Sequence, residues 1–254
     1  MPKETDVGIA RCPTGIPGLD NLLGGGFPKG RTILLKGECG TGKTIFCNQF
    51  LYNGIVKYNE PGILVLLEQN IKYVKRDMRS FGFNLDELED SGKLVIIDAS
   101  LSKFNIIGPS SKSKSGKSIS LTSKDLLGTK EVVDIIIDAA KEIRAERVVI
   151  DSLPALDNLI RNKEHVRDVI LYMNYRLQSR ELTSILVSDI LENRNSDIED
   201  YVSDGVIKLS YITSGPDTGR NLIIQKMRGT THSENIHPIT FTEGVGMEIL
   251  ETED

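Results

Sequence analysis

The sequence predicts an α/β layered fold: a mostly parallel central sheet flanked by helices, extended on its C-terminal side by antiparallel strands. Three observations lead there. Short apolar runs rich in Val, Ile and Leu recur through the first 190 residues. They are near-continuous rather than alternating, as strands buried on both faces are. Amphipathic stretches of helical length separate them, and strand–helix alternation argues for a sheet covered by helices. After residue 200 the helices stop and three β-rich runs follow one another.

In chain order, 32-TILLKG-37 reads as the first core strand and 43–58 as the helix after it. The run 62-GILVLLE-68 is the second strand, followed by a helix over 71–82. The third strand is 94-LVIID-98. A helix over 131–145 leads to 147-RVVID-151, and a helix over 164–181 leads to 183-TSILVSD-189. The last strands are 205-GVIKLSYI-212, 220-RNLIIQKM-227 and 238-PITFTEGVGMEIL-250. The turn signal 214-SGPDTG-219 makes the first two of these a hairpin. The serine- and lysine-rich stretch 108-GPSSKSKSGKSIS-120 reads as a mobile loop. With no internal repeat and no second core, 1–254 is expected to be a single domain carrying a flexible lysine-rich loop at about 103–125.

Composition narrows the class. The chain has 254 residues, 39% hydrophobic, with mixed charges that sum to −5. That suits a globular protein with its own core and supplies no global basic field for nucleic acid. No apolar run approaches the ~18 residues of a membrane span, and MPKETDVGIA lacks a signal-peptide core, so a cytoplasmic location without membrane association is expected. Cys12, Cys39 and Cys47 are odd in number and lack CxxC spacing, which argues against a disulfide framework or a zinc site. The three histidines are scattered.

The motif that carries chemistry is 37-GECGTGKT-44, which fits GxxxxGK[ST] between a strand and a helix. Its glycines let the backbone wrap closely and turn N–H groups toward phosphate oxygens, and the helix N-terminus adds a favourable dipole. Gly37, Glu38, Cys39, Gly40, Thr41, Gly42, Lys43, Thr44 and Ile45 form the expected ATP-binding set. Lys43 is placed to reach the β- and γ-phosphates and the Thr44 hydroxyl to ligand Mg2+. Cys39 is either a thiol sensitised by the helix N-terminus or an indifferent loop position. Asp151 ends the apolar strand 147–151, where a second Mg2+ ligand belongs. Glu68 ends 62–68 in the same way and is a candidate catalytic base, with Gln69 next to it.

The sequence resembles the RecA superfamily of P-loop NTPases, and within it the single-domain KaiC-like and archaeal RadA-related ATPases. The resemblance is carried by 14-TGIPGLDNLLGGGFPKGRTILLKGECGTGKT-44, 49-QFLYNG-54, 81-FGFNLDELEDSGKLVIIDAS-100, 226-KMRGTTH-232 and 236-IHPITFTEGVGMEI-249. It implies a RecA-like core and ATP hydrolysis. It makes Glu68 the group that positions the attacking water, and Gln69 a departure from a common Glu-Glu pair. It also implies that Lys226 and Arg228, with His232 joining or capping the turn, contact the γ-phosphate of a neighbouring subunit. Residues i and i+2 of a strand point the same way, so both cations would face one target. A finger used in trans needs a head-to-tail homo-oligomer, a ring or a nucleotide-dependent assembly.

Residues 103–130 hold six lysines against one acid, Asp125. Lys103, Lys112, Lys114, Lys117 and Lys124 suit phosphate contacts to single-stranded DNA, although Phe104 alone offers a stacking platform there. Two functions follow. One is a RadA paralogue that modulates DNA recombination or repair, with a recombinase as partner. The other is a KaiC-like ATP-driven switch acting on a protein partner.

Overall fold

The computed structural model describes residues 8–99, 119–120, 129–155, 166–190, 198–214 and 217–250. Among them, the strands are β1 (Arg11–Cys12), β2 (Phe27–Pro28), β3 (Thr32–Gly37), β4 (Gly62–Leu66), β5 (Leu94–Asp98), β6 (Ile119–Ser120), β7 (Arg147–Asp151), β8 (Thr183–Asp189), β9 (Gly205–Ser214), β10 (Asp217–Met227), β11 (Ile236–Thr242) and β12 (Gly246–Ile249). The helices are α1 (Leu19–Leu22), α2 (Lys43–Tyr58), α3 (Ile71–Arg79), α4 (Leu85–Asp90), α5 (Thr129–Ile143), α6 (Val166–Gln178) and α7 (Ile198–Val202).

β1 and β2 form a small antiparallel pair; the rest make one ten-stranded sheet in the order β12-β11-β10-β9-β3-β8-β7-β4-β5-β6. The stretch from β9 to β6 is parallel, and β10, β11 and β12 add to it antiparallel. This is the expected α/β fold with its C-terminal antiparallel extension. The near-continuous apolar strands are explained by two cores, one on each face. Ile33, Leu35, Leu64, Leu66, Val149, Ile185 and Val187 pack toward α2 and the C-terminal strands. Leu34, Ile63, Val65, Val148, Ile150 and Leu186 pack toward α5 and α6. Successive strand side chains point to opposite faces, so burying both faces favours apolar residues at consecutive positions.

Several boundaries differ from the sequence expectation. The helix expected over 71–82 ends at Arg79, because Gly82 takes a left-handed φ of 80°, a conformation that terminates helices. A separate short α4 follows. The strand expected over 238–250 is a hairpin, turned at Gly244 with φ 77°. Part of the expected loop 108–120 is strand: the backbone of Ile119–Ser120 adds beside Ile97–Asp98, where β5 would otherwise be a sheet edge. The lysines at 103, 112, 114, 117 and 124 lie outside the described residues.

The amino-terminal ends of the strands are locked by one side chain. Arg147, at the start of β7, is fully buried. It donates to Glu60 Oε2 from Nε at 2.7 Å, to the Phe50 carbonyl at 2.9 Å and to the Pro13 carbonyl at 2.8 Å. Its guanidinium also lies 4.5 Å from the Phe50 ring centre. The fold thereby ties the entry segment, α2 and the sheet to one charge. The opposite edge, formed by the carboxyl ends of the parallel strands, is where ligands of open α/β sheets bind.

Candidate functional site

The loop between β3 and α2 follows directly from its glycines. Gly40 and Gly42 have φ of 77° and 102°. A Cβ on Gly42 would run into the Phe241 ring, and one on Gly40 would lie 2.9 Å from the Tyr211 hydroxyl. Left-handed backbone and close packing both exclude a side chain at these positions. The antiparallel extension therefore braces the loop. Gln49 of α2 pins that extension by accepting from Met247 N at 2.7 Å and donating to Met247 O at 3.0 Å. Arg220 of β10 donates to the Gly40 carbonyl at 3.1 Å, with its guanidinium 5.4 Å from the Tyr211 ring and 5.2 Å from the Phe241 ring.

Lys43 and Thr44 open α2 beside the carboxyl ends of the core strands. The Lys43 ammonium donates to the Gly37 and Glu38 carbonyls at 2.7 and 2.9 Å and pairs with Asp189 at 2.9 Å. The Thr44 hydroxyl donates to Asp151 Oδ2 at 3.2 Å and accepts from Gln69 Nε2 at 2.9 Å. Gln69 thus faces the threonine. An amide can donate there, whereas a carboxylate would set an acceptor against an oxygen whose proton is already directed to Asp151. Glu68 is exposed and accepts a hydrogen bond from Ser152 at 3.1 Å. The peptide bond between Asp151 and Ser152 is cis.

Sheet register explains why these residues meet. Leu66 pairs with Asp151 across β4 and β7, and Gly37 pairs with Asp189 across β3 and β8. Leu67 N also donates to Asp151 O at 2.8 Å, which carries Glu68 alongside Ser152. Burial dominates the electrostatics of Asp151. It pushes the carboxyl up to about 6, against the opposing pull of the Thr44 hydrogen bond and the Lys43 charge, while Glu68 and Asp189 push the same way as burial. Cys39 is exposed on the loop, whereas Cys12 and Cys47 are buried free thiols. Burial raises both, Cys12 to about 12, so neither is a ready nucleophile.

Lys226 and Arg228 sit elsewhere. Lys226 pairs with Val206, and Val206 with Leu34, so this end of β10 lies at the amino edge of β3. From Leu34 to Gly37 is three residues, about 10 Å along a strand. These cations therefore lie apart from their own phosphate loop. Within the chain, both turn toward residues 200–204. Lys226 donates to the Asp200 and Ser203 carbonyls at 2.9 and 2.6 Å, and burial lowers its pKa, with Arg228 adding to that. Arg228 is exposed, 3.7 Å from Asp204. The strand periodicity behind the expectation stops short of the pair, because β10 ends at Met227 and Arg228 lies one residue beyond it. His232 lies against the Ser233 carbonyl at 2.9 Å, a turn contact.

Sequence reasoning missed Asp189, Ser152, Arg220 and Tyr211. Asp189 carried the signal that found Asp151, an apolar run ending in Asp. Arg220 and Tyr211 carried none, because their approach to the loop depends on how the hairpin returns.

A family model described as "ATPase: KaiC" matches residues 12–254. The chain is 38% identical over 242 residues to the UPF0273 protein of Methanocaldococcus jannaschii, covering 93% of this chain and 96% of that one. It is 33% identical over 249 residues to the circadian clock oscillator protein KaiC of Thermostichus vulcanus, covering 96% of this chain and 45% of KaiC. It therefore spans less than half the length of that relative. The crystal structure of a KaiC-like protein from the hyperthermophilic archaeon Pyrococcus horikoshii superposes with a TM-score of 0.81 at 32% identity, covering 96% of this chain and 100% of that one.

Proposed function

This chain belongs to the KaiC family of ATPases, and on that premise we propose that it hydrolyses Mg2+-bound ATP in a head-to-tail homo-oligomer and works as a nucleotide-driven interaction switch. Residues 1–254 act as one ATPase domain in this reading. The observation that carries it is the separation of two cationic groups. The phosphate loop lies at the carboxyl edge of the sheet, and Lys226 and Arg228 lie at the amino edge. A shared site needs that arrangement, since stacking one subunit's amino edge against its neighbour's carboxyl edge brings each finger to another subunit's nucleotide.

The roles follow from geometry and charge. The loop from Gly37 to Ile45 cradles the phosphates with backbone N–H groups, and Lys43 neutralises the β- and γ-oxygens. Thr44 and Asp151, two hard oxygen donors 3.2 Å apart, suit Mg2+, which would supply further charge neutralisation to the phosphates. Glu68, oriented by Ser152, holds the attacking water in line. Arg228, the more exposed of the two cations, offsets charge that develops on the transferred phosphoryl group, with Lys226 beside it. Fingers of this kind contribute roughly 10³–10⁵ in rate.

Mixing subunits tests the shared site. Arg228→Ala and Lys43→Ala subunits, each inactive alone, should regain hydrolysis when combined, because one supplies the loop and the other the finger. Absence of rescue at every mixing ratio sinks the trans reading. Glu68→Gln should keep ATP binding and lose turnover by about 10²-fold or more; undiminished turnover removes Glu68 from its role.

A second reading, a RadA paralogue that modulates recombination or repair, is favoured by the lysines at 103, 112, 114, 117 and 124. Binding to single-stranded DNA measured across a salt series discriminates the two. Several phosphate contacts give a steep loss of affinity with salt, and flat or absent binding leaves the protein-partner switch.

A further inference from the structure

Lys43 has three N–H donors, and all three have acceptors within the chain. Two are carbonyls of its own loop, Gly37 and Glu38, at 2.7 and 2.9 Å. The third is the Asp189 carboxylate at 2.9 Å. Asp189 is the charged member of that set, and its side chain is 42% exposed. It is delivered by the sheet, because β8 runs beside β3 and Asp189 pairs in register with Gly37. The position is thus fixed by parallel strand pairing, while the carboxylate itself faces solvent.

We propose that Asp189 is an internal competitor for the nucleotide's phosphates: it holds the Lys43 ammonium until an incoming phosphate takes its place. The proposal deepens the ATP-binding reading and rests on it, since it takes Lys43 as the phosphate-binding lysine. The physical argument is one of matched chemistry. A phosphate oxygen and a carboxylate oxygen are both anionic acceptors that bond an ammonium at about the same length, so one donor cannot serve both fully. The two loop carbonyls are neutral and keep the lysine close to the loop. Asp189 is the partner whose loss releases a donor for an anion. Its negative charge also stands beside the loop that receives the phosphates, in register with Gly37. Both effects weaken phosphate binding and set a threshold nucleotide concentration for filling the site.

The Asp189 side of the pair is open to water although the Lys43 side chain is 12% exposed, so its strength is close to that of an exposed ion pair, up to about 1 kcal/mol. That translates to an affinity change of up to about fivefold, enough to tune a switch without closing the site. A pair of this strength holds little of the fold together. Removing the charge therefore leaves folding intact and moves binding.

The test is calorimetric titration of Asp189→Asn, Asp189→Glu and the parent chain with ADP, inorganic tripolyphosphate and adenosine, with and without Mg2+. Asp189→Asn should bind ADP and tripolyphosphate about two- to fivefold more tightly and adenosine unchanged. Asp189→Glu, which restores the carboxylate, should return ADP affinity toward the parent value. Unchanged or weaker binding of the phosphate-bearing ligands overturns the proposal, as does an equal gain for adenosine. A loss of ADP affinity that appears with Mg2+ also overturns it, by making Asp189 a supporter of the metal rather than a competitor. Lys43→Ala is titrated in parallel. If it binds ADP like the parent, the phosphate-loop reading itself falls. If it loses ADP while Asp189→Asn gains nothing, the competitor alone falls.

Discussion

Strand β7 carries a buried charge at each end, and the two are treated in opposite ways. Arg147 at the amino end is fully buried and matched by Glu60, two backbone carbonyls and the faces of Phe50 and Tyr58. Asp151 at the carboxyl end is 5% exposed, receives the Thr44 hydroxyl, and still has its carboxyl pushed up to about 6 by burial. One charge is neutralised inside the fold. The other is held where burial works against it. The difference teaches that a charge saturated by its own chain serves structure, whereas a charge kept at a desolvation penalty has bonding capacity that a ligand can use.

The sharpest way to break this comparison is at Arg147. Arg147→Met leaves Glu60 without its buried partner, and stranding one member of a buried pair costs about 3–5 kcal/mol. Urea unfolding should show that loss, while the molecules that remain folded keep their ADP affinity. A loss below about 1 kcal/mol would mean the arginine is dispensable to the fold. At the other end the sign reverses. Asp151→Asn removes the burden of burying a carboxylate, so the nucleotide-free protein should gain about 1–3 kcal/mol. Its Mg2+-dependent ATP affinity should fall by about tenfold or more. A variant that is less stable would place Asp151 with Arg147 as a structural charge.

A smaller change sharpens the carboxyl end further. Gln69→Glu replaces the amide that donates to Thr44 with an anion beside Asp151 and Glu68. It should lower the melting stability of the nucleotide-free protein by up to about 1 kcal/mol, a deficit that added Mg2+ narrows. An equal deficit with and without Mg2+ would detach Gln69 from the metal-binding side of the site. The smallest effect concerns neither end of β7. His237 in β11 is buried beside Ser233, with its Nε2 2.7 Å from the serine hydroxyl, and burial lowers its pKa. The unfolded chain therefore takes up a proton first on acidification. This histidine's contribution is present above about pH 6.5 and is lost as pH falls through its lower folded value. His237→Gln should flatten the acid side of a stability–pH profile, and an unchanged slope would exclude it.

How much of this was legible in the sequence depends on whether the information is local. The phosphate loop is local: glycines, lysine and threonine are contiguous, and the strand–loop–helix context follows from apolar patterning. Glu68 and Asp151 were legible because each ends an apolar run. That same rule fits Asp98 and Asp189, and the sequence could not rank them. The sheet order does so, by setting β7 and β8 between β3 and β4 and leaving β5 beyond β4. The role of Arg147 was illegible, since a charged residue at the start of an apolar run looks like an ordinary strand boundary.

The sequence by itself determined the α/β class, the parallel core with its antiparallel extension, the phosphate loop and its lysine. All of these rest on periodicity and on contiguous residues whose chemistry is fixed by type. Only the tertiary structure decided that Lys43 is held by Asp189, that Thr44 lies between Asp151 and Gln69, and that Lys226 and Arg228 occupy the edge opposite their own loop. Those facts depend on strand order and register, which join residues from 25 to more than a hundred positions apart, and no local pattern encodes that pairing.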